Sequence, residues 1–157
     1  MIRASLLQVL VACFLLAAPL QAETLAGIPS VIDGDTIEIH GTRIRLHAID
    51  AIESQQRCLL PNGQVWNCGQ DAAFALANKI GGAPVSCEIR DVDRYGRLVA
   101  VCRKRGEDLN AWLVRNGWAV AYRRYGKDYL RQEAEARSTR AGIWASNFMM
   151  PWDWRRL

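Results

Sequence analysis

Three charged residues crowd the place where an apolar strand should be ending: Arg45, Asp50 and Glu53, within RIRLHAIDAIESQQRC. Two more carboxylates, Asp33 and Asp35, lie in VIDGDT, and a second arginine, Arg97, closes DRYGR beside Tyr95. These residue types meet the needs of phosphodiester hydrolysis. Attack of water on phosphorus builds negative charge on the equatorial oxygens, which a hard cation held by carboxylates neutralises. Planar guanidinium forks clamp the same oxygens in a way an ammonium does not. One further carboxylate, outside the metal's ligand set, orients the water and takes its proton. Two aspartates for a metal, a glutamate base and two arginines make that set. The competing reading is a group of exposed ion pairs, with DGD as an ordinary hairpin turn. An EF-hand calcium loop is excluded, because Glu38 stands where glycine is needed and Ile44 where the closing glutamate should be.

The elements must bring these residues to one place. Ile44, Leu46 and Ala48 alternate with Arg43, Arg45 and His47, which predicts a strand over 42–49 with one dry face. Arg45 and Asp50 have opposite parity, so a straight strand sends them to opposite faces. Both serve one site only if the chain bends or bulges near Ile49. Short strands are expected over 28–32 and 36–40, and a hairpin over 84–90 and 97–103 around the loop Asp93 to Gly96. Helical spacing covers 70–80, ending at Gly81-Gly82, and further helices are expected over 109–116 and 129–140. WAVAY reads as extended, and the tail, with Trp144, Phe148, Trp152 and Trp154, is too aromatic for a solvated end. Strands, a helix, a hairpin and then helices give an α+β order, and five short strands suit a small OB-fold barrel.

At 157 residues the chain is long enough for one self-sufficient domain. Met1 to Arg3 followed by LLQVLVACFLLAAPL has the form of a secretory leader, with a cut after Ala22. A membrane anchor and a lipoprotein box around Cys13 are the other readings of that run. The expected division is a signal peptide over 1–22 and a single domain over 23–157. Removing Arg3 leaves 19 basic against 16 acidic side chains, a balance of about +3 that tolerates a polyanionic partner. Four cysteines remain, and in an exported chain they read as two disulfides with three connectivities. In a hairpin with loop Asp93 to Gly96, Cys87 falls opposite Cys102, which leaves Cys58 with Cys68. His40 and His47 have no metal partner in view.

VIDGDT, then Arg45, Asp50 and Glu53 in R-x-x-x-x-D-x-x-E, then DRYGR, resembles the staphylococcal nuclease (thermonuclease) family. NAWLVRNGWAVAY and AEAR…GIW resemble its later segments, so the likeness runs from about Ser30 to Trp144. The resemblance implies an OB-fold five-stranded β-barrel with three α-helices. It also implies a calcium-dependent nuclease that cuts DNA and RNA and leaves 3′-phosphates. By position, Asp35 and Asp50 would bind calcium through carboxylates and Ala51 through its carbonyl, with Asp33 near the ion through water. Manganese shares the same preference for oxygen ligands. Glu53 would be the general base, and Arg45 and Arg97 the phosphate clamps. Arg94, Tyr95 and Tyr122 would contact the nucleotide, where stacking favours single strands. One departure stands out: Ile52 occupies the place where the family usually has proline, which relaxes the loop that aims Glu53. The cysteines are not a feature of the staphylococcal enzyme and point to a stapled, exported branch.

The expected protein is therefore a secreted or periplasmic nuclease acting on DNA and RNA as a monomer. The other class is an OB-fold module that binds an anionic polymer without cutting it. Glu53→Gln separates the two, because only the enzyme loses turnover.

Overall fold

A computed structural model describes residues 22–157 of the chain. The expected leader falls, up to residue 21, outside the described residues. Among the described residues no helix is long and apolar enough to cross a membrane.

The chain opens with two short strands, β1 (Thr24–Gly27) and β2 (Ser30–Asp33), divided by Ile28-Pro29. Then come β3 (Thr36–Ile39) and β4 (Thr42–Leu46), joined by the tight turn at His40-Gly41, where both residues have positive φ. The stapled hairpin supplies β8 (Val85–Val92) and β9 (Leu98–Lys104), and the short β10 (Glu107–Asp108) pairs with the end of β9. The sheet runs β1-β8-β9-β4-β3-β2 and is mixed, because β4 and β9 pair in parallel while the other neighbours are antiparallel. The two ends of that path, β1 and β2, are consecutive pieces of one bent segment. The sheet is thus curled toward closure, as an OB-type α+β fold requires. Alternation along β3 and β4 buries Ile37, Ile39, Ile44 and Leu46 in the interior. Leu76 and Ile80 of α1 (Cys68–Ile80) and Leu109, Leu113 and Val114 of α2 (Leu109–Arg115) share that core.

The expected strand over 42–49 breaks earlier. β4 stops at Leu46, and β5 (Ile49–Ala51) resumes after a turn in which Ala48 has φ of 55°. The predicted bend near Ile49 is therefore present, one residue upstream. β5 leaves the main sheet and pairs with β11 (Ala119–Ala121), so that Asp50 faces Val120. Asn110 of α2 props the bend from behind. Fully buried, it donates to His47 O at 3.0 Å and Ala100 O at 3.2 Å and accepts from the Cys102 amide.

Both disulfides form as expected, Cys58–Cys68 and Cys87–Cys102. The hairpin reaches the Cys87 to Cys102 register by a different route. Its loop is one residue longer than expected, with Val92 facing Leu98, and an irregularity between Ile89 and Asp91 restores the pairing. Cys58 and Cys68 flank the small hairpin β6 (Cys58–Leu59) and β7 (Val65–Trp66). After α3 (Leu130–Thr139) comes a 3-10 turn at Gly142–Ala145. The tail then folds back to end in α4 (Pro151–Trp154), with Pro151 at its first turn. It docks as its aromatic content requires. Asn147 exchanges two backbone hydrogen bonds with Leu59, both 2.8 Å, and Gln56 Nε2 donates to Met149 O.

Candidate active site

Asp35 sits in the turn between β2 and β3, where Asp33 Oδ1 accepts its amide N–H at 3.0 Å. Gly34 is not in the left-handed region. Its role is close approach, because a Cβ there would lie 2.7 Å from the Ala51 Cβ. That contact brings the aspartate turn against β5. Asp35 Oδ2 then accepts the Ala51 amide at 3.0 Å, and Oδ1 accepts the Thr36 hydroxyl at 3.1 Å. The Arg45 guanidinium spans the gap between strands. Nη1 donates to Asp35 Oδ1 at 3.0 Å and Nη2 to Asp50 Oδ1 at 2.9 Å. The bend at His47-Ala48 is what lets Arg45 and Asp50, of opposite parity, meet.

Asp50 is fully buried and Asp35 nearly so. Burial pushes the Asp35 carboxyl up to about 7, against the pull of Arg45, and the negative charges of Asp33 and Asp50 add to the rise. Burial lowers the affinity of Arg45 for its proton, but Asp35 and Asp50 outweigh it and the guanidinium is held more firmly charged than usual.

Glu53 stands three residues past Asp50 in a loop without regular structure. The N-terminus of α1 holds that loop in place. The Gly69 amide donates to Gln56 O at 3.2 Å, and a Cβ on Gly69 would fall 1.8 Å from Glu53 O. Ile52 is buried with Cys58, Cys68, Val120 and Ile143, and the tail side chains Phe148, Met150 and Trp152 pack on the same cluster.

A residue that sequence reading did not single out completes the cluster. Arg155, just past α4, forks onto Asp50, with Nη1 3.0 Å from Oδ1 and Nη2 2.7 Å from Oδ2. Its Nη1 also donates to Glu53 Oε1. Hydrogen bonds to Asp50 and Glu53 raise the Arg155 pKa above its ordinary value. Its separation from Asp50 by 105 residues is why no local pattern marks it.

Arg97 does not touch these carboxylates. Its Nε donates to Asp93 Oδ2 at 2.7 Å, within the hairpin loop. Burial opposes it, yet the hydrogen bonds from Arg97 and from the Tyr95 amide hold the Asp93 carboxyl below its ordinary range. Arg97 lies two residues before Val99, which pairs with Arg45, so the backbone sets it on Arg45's side of the sheet. Arg94 and Arg97 approach the exposed Tyr95 ring at 4.7 and 5.6 Å, and Arg94 donates to its hydroxyl. Tyr122 follows β11 and donates its amide to Ala48 O at 2.9 Å, beside the bend. Trp152 is stacked on its ring at 5.6 Å and Tyr125 meets it edge-on at 5.0 Å. One face of Tyr122 is thus covered by the chain's own tail.

Among the described residues no three His, Cys, Asp or Glu side chains converge as a ligand cluster. Two carboxylates do meet. Each carboxylate offers about four acceptor positions, and on Asp35 and on Asp50 three donors are already bound, which leaves room on Oδ2 of each. All-oxygen donors fit a hard divalent cation whose remaining ligands are backbone carbonyl and water. Ala51, the candidate carbonyl donor, lies in β5 beside Asp50 and pairs with Ala119.

A curled OB-type sheet with carboxylates and guanidinium groups gathered at a strand bend defines the class, and comparison with known proteins gives the family. The profile of "Staphylococcal nuclease homologue" matches residues 43–146. The succinoglycan biosynthesis protein ExoI of Rhizobium meliloti (strain 1021) is 44% identical over 126 residues, 78% of this chain and 66% of that protein, so the chain spans just under two thirds of it. The micrococcal nuclease of Shigella flexneri is 34% identical over 160 residues, covering 90% of this chain and 86% of its own. An uncharacterized endonuclease of Escherichia coli O157:H7 is 30% identical over 151 residues, 90% of this chain and 92% of its own. The chain belongs to the staphylococcal nuclease homologue family.

Proposed function

We propose that this protein is an exported, calcium-dependent endonuclease that hydrolyses DNA and RNA, favours single strands and leaves 3′-phosphate ends. The observation that carries the reading is Arg45 bridging two buried aspartates, with Glu53 three residues beyond the second. Asp35, Asp50 and the Ala51 carbonyl would hold the cation, with Asp33 reaching it through water. When bound, the cation supplies neutralisation of charge on the phosphate oxygens. Glu53 is the general base: it orients a water and takes its proton as the oxygen attacks phosphorus. The P–O5′ bond breaks, the phosphate stays on the 3′-oxygen, and the departing 5′-oxygen takes a proton from solvent. Arg45 donates to the phosphate from inside the cluster. Arg97 joins it by releasing Asp93, a bond between two partly exposed groups and therefore inexpensive to break. Arg94, Tyr95 and Tyr122 line the approach, and an exposed ring such as Tyr95 offers stacking to an unpaired base. The two disulfides support an oxidising compartment, hence the periplasm or the medium. Action as a monomer, free of the membrane after leader removal, is part of the same reading.

The test is product chemistry. Denatured DNA and RNA are digested with calcium or manganese, and the fragments are offered to a polymerase before and after phosphatase treatment. Fragments that prime only after dephosphorylation support 3′-phosphate ends. Fragments that prime at once contradict them. Binding without cutting in either ion establishes the OB-fold binding module instead.

A further inference from the structure

Glu53 presents a difficulty for any base. It stands in an irregular loop, its side chain is 35% exposed, and Ile52 gives the backbone before it more freedom than a proline would. A carboxylate that samples several rotamers orients a water poorly. Resting on the nuclease reading above, we propose that Arg155 is the positioning residue for this site: the C-terminal segment supplies a guanidinium that fixes Asp50 and Glu53 in one geometry.

The contacts divide the work. Both oxygens of Asp50 are engaged by the two Arg155 nitrogens, and Arg45 shares one of them, so the buried carboxylate cannot rotate. Arg155 takes only Oε1 of Glu53, and among the described residues Oε2 has no donor. One oxygen is held and the other is left to accept a proton from water. Nη1 alone reaches both carboxylates, and the fork adds a second bond that holds Asp50 bidentately. An ammonium can touch both groups but cannot hold Asp50 in that planar, two-bond geometry.

Arg155 is itself held. Pro151 of α4 is buried, Trp152 stacks on Tyr122, and Gln56 Nε2 anchors Met149 O. The Asn147–Leu59 bridge ties the tail to the residue after Cys58, which Cys68 staples to the start of α1. The same tail packs on Ile52. Restraint that a proline ring would provide from within the loop comes here from a side chain and a docked tail.

The alternative is that Arg155 merely plugs the cation's seat and must leave before catalysis. The two differ in sign. Wild type, Arg155→Gln and Arg155→Lys, all with disulfides formed, are compared for kcat and KM at saturating calcium, for calcium affinity by titration calorimetry, and for melting temperature. Positioning predicts that Arg155→Gln loses on the order of 100-fold in kcat, with KM near wild type and calcium binding no weaker. Its melting temperature is lower, because buried Asp50 loses its bidentate partner. Arg155→Lys, which keeps the stem and charge but not the fork, fails to recover the rate. Added guanidinium ion restores part of it to Arg155→Ala.

A kcat for Arg155→Gln that equals or exceeds the wild type overturns the inference, and a rise together with tighter calcium binding identifies a plug. If Arg155→Gln folds poorly, Arg155→Lys decides: full activity in a folded Lys variant also overturns it. A wild-type protein that cuts nothing with any divalent ion removes the nuclease reading and this inference with it. That outcome is separate from an active wild type whose variants are equally active.

Discussion

Asp50 and Glu53 differ in what their surroundings ask of them. Asp50 is buried and bonded through both oxygens with one position open on Oδ2, whereas Glu53 is 35% exposed and tethered by one oxygen. That contrast suits a metal ligand and a base. Asp50→Ala is expected to leave Arg45 and Arg155 facing each other without their shared anion. It should cost about 3–5 kcal/mol of stability, read as a drop in the midpoint of urea unfolding. Asp35 carries a pH signature. Its folded-state pKa, near 7, lies above its unfolded value, so the native state keeps a proton that the unfolded chain loses. Stability is fully present below the unfolded pKa and is lost as pH rises toward 7. In chelator the melting temperature should fall from pH 5 to pH 7.5. Asp35→Asn should flatten that slope, and calcium, binding the ionised form, should reverse it. Arg45, Asp50 and Glu53 were legible in the sequence because they share one short stretch whose charges contradict its strand pattern. Arg155 was not, since its partners lie more than a hundred residues upstream and only the folded tail joins them.

The two disulfides staple different kinds of element. Cys87–Cys102 joins facing residues inside the sheet, while Cys58–Cys68 ties the loop after Glu53 to α1 and, through Leu59, to the tail. Loop-closure entropy gives each a similar value, about 3 kcal/mol. Replacing either pair by serine should therefore lower the melting temperature comparably. Only the Cys58/Cys68 variant should also lose kcat at a temperature where both remain folded. Equal activities in the two folded variants would detach the stapled loop from catalysis. Asn110 offers a second test at this scale. Asn110→Ala strands the Cys102 amide and the His47 carbonyl, while Ala100 O keeps the His47 amide. The change should cost about 2–3 kcal/mol and loosen the His47-Ala48 turn. Amide exchange at Tyr122, which bonds to Ala48 O, would report the loosening. The bend itself was foreseeable from parity alone. Its prop was not, because a helix asparagine reads as an ordinary surface residue until the helix is placed. Likewise the hairpin's longer loop and compensating irregularity leave the cysteine register unchanged, so the cysteines predicted the pairing without revealing the path.

For the molecule as a whole, the OB-type sheet curls so that the turn after β2, the end of β4 and the strand β5 meet at one edge, and the C-terminal segment closes over them. The pairing of β3 with β4 and of β8 with β9 was readable from alternation and turn residues, whereas the parallel pairing of β4 with β9 was not; three separated motifs pointed to one site. The first strand, β1, went unread: TLAG is too short to show alternation and exists because β8 offers it a partner. The aromatic tail was expected to pack, yet nothing in PWDWRR says that it packs at the site. A chain arranged in this way should act as a single rigid scaffold whose chemistry depends on one carboxylate. The direct measurement is cleavage of denatured DNA by wild type and Glu53→Gln, each with calcium and with chelator. Calcium-dependent cutting by the wild type, slowed at least 100-fold in Glu53→Gln with DNA binding retained, is the predicted result. Equal cutting by both proteins, or cutting that persists in chelator, would contradict the assignment of base and metal.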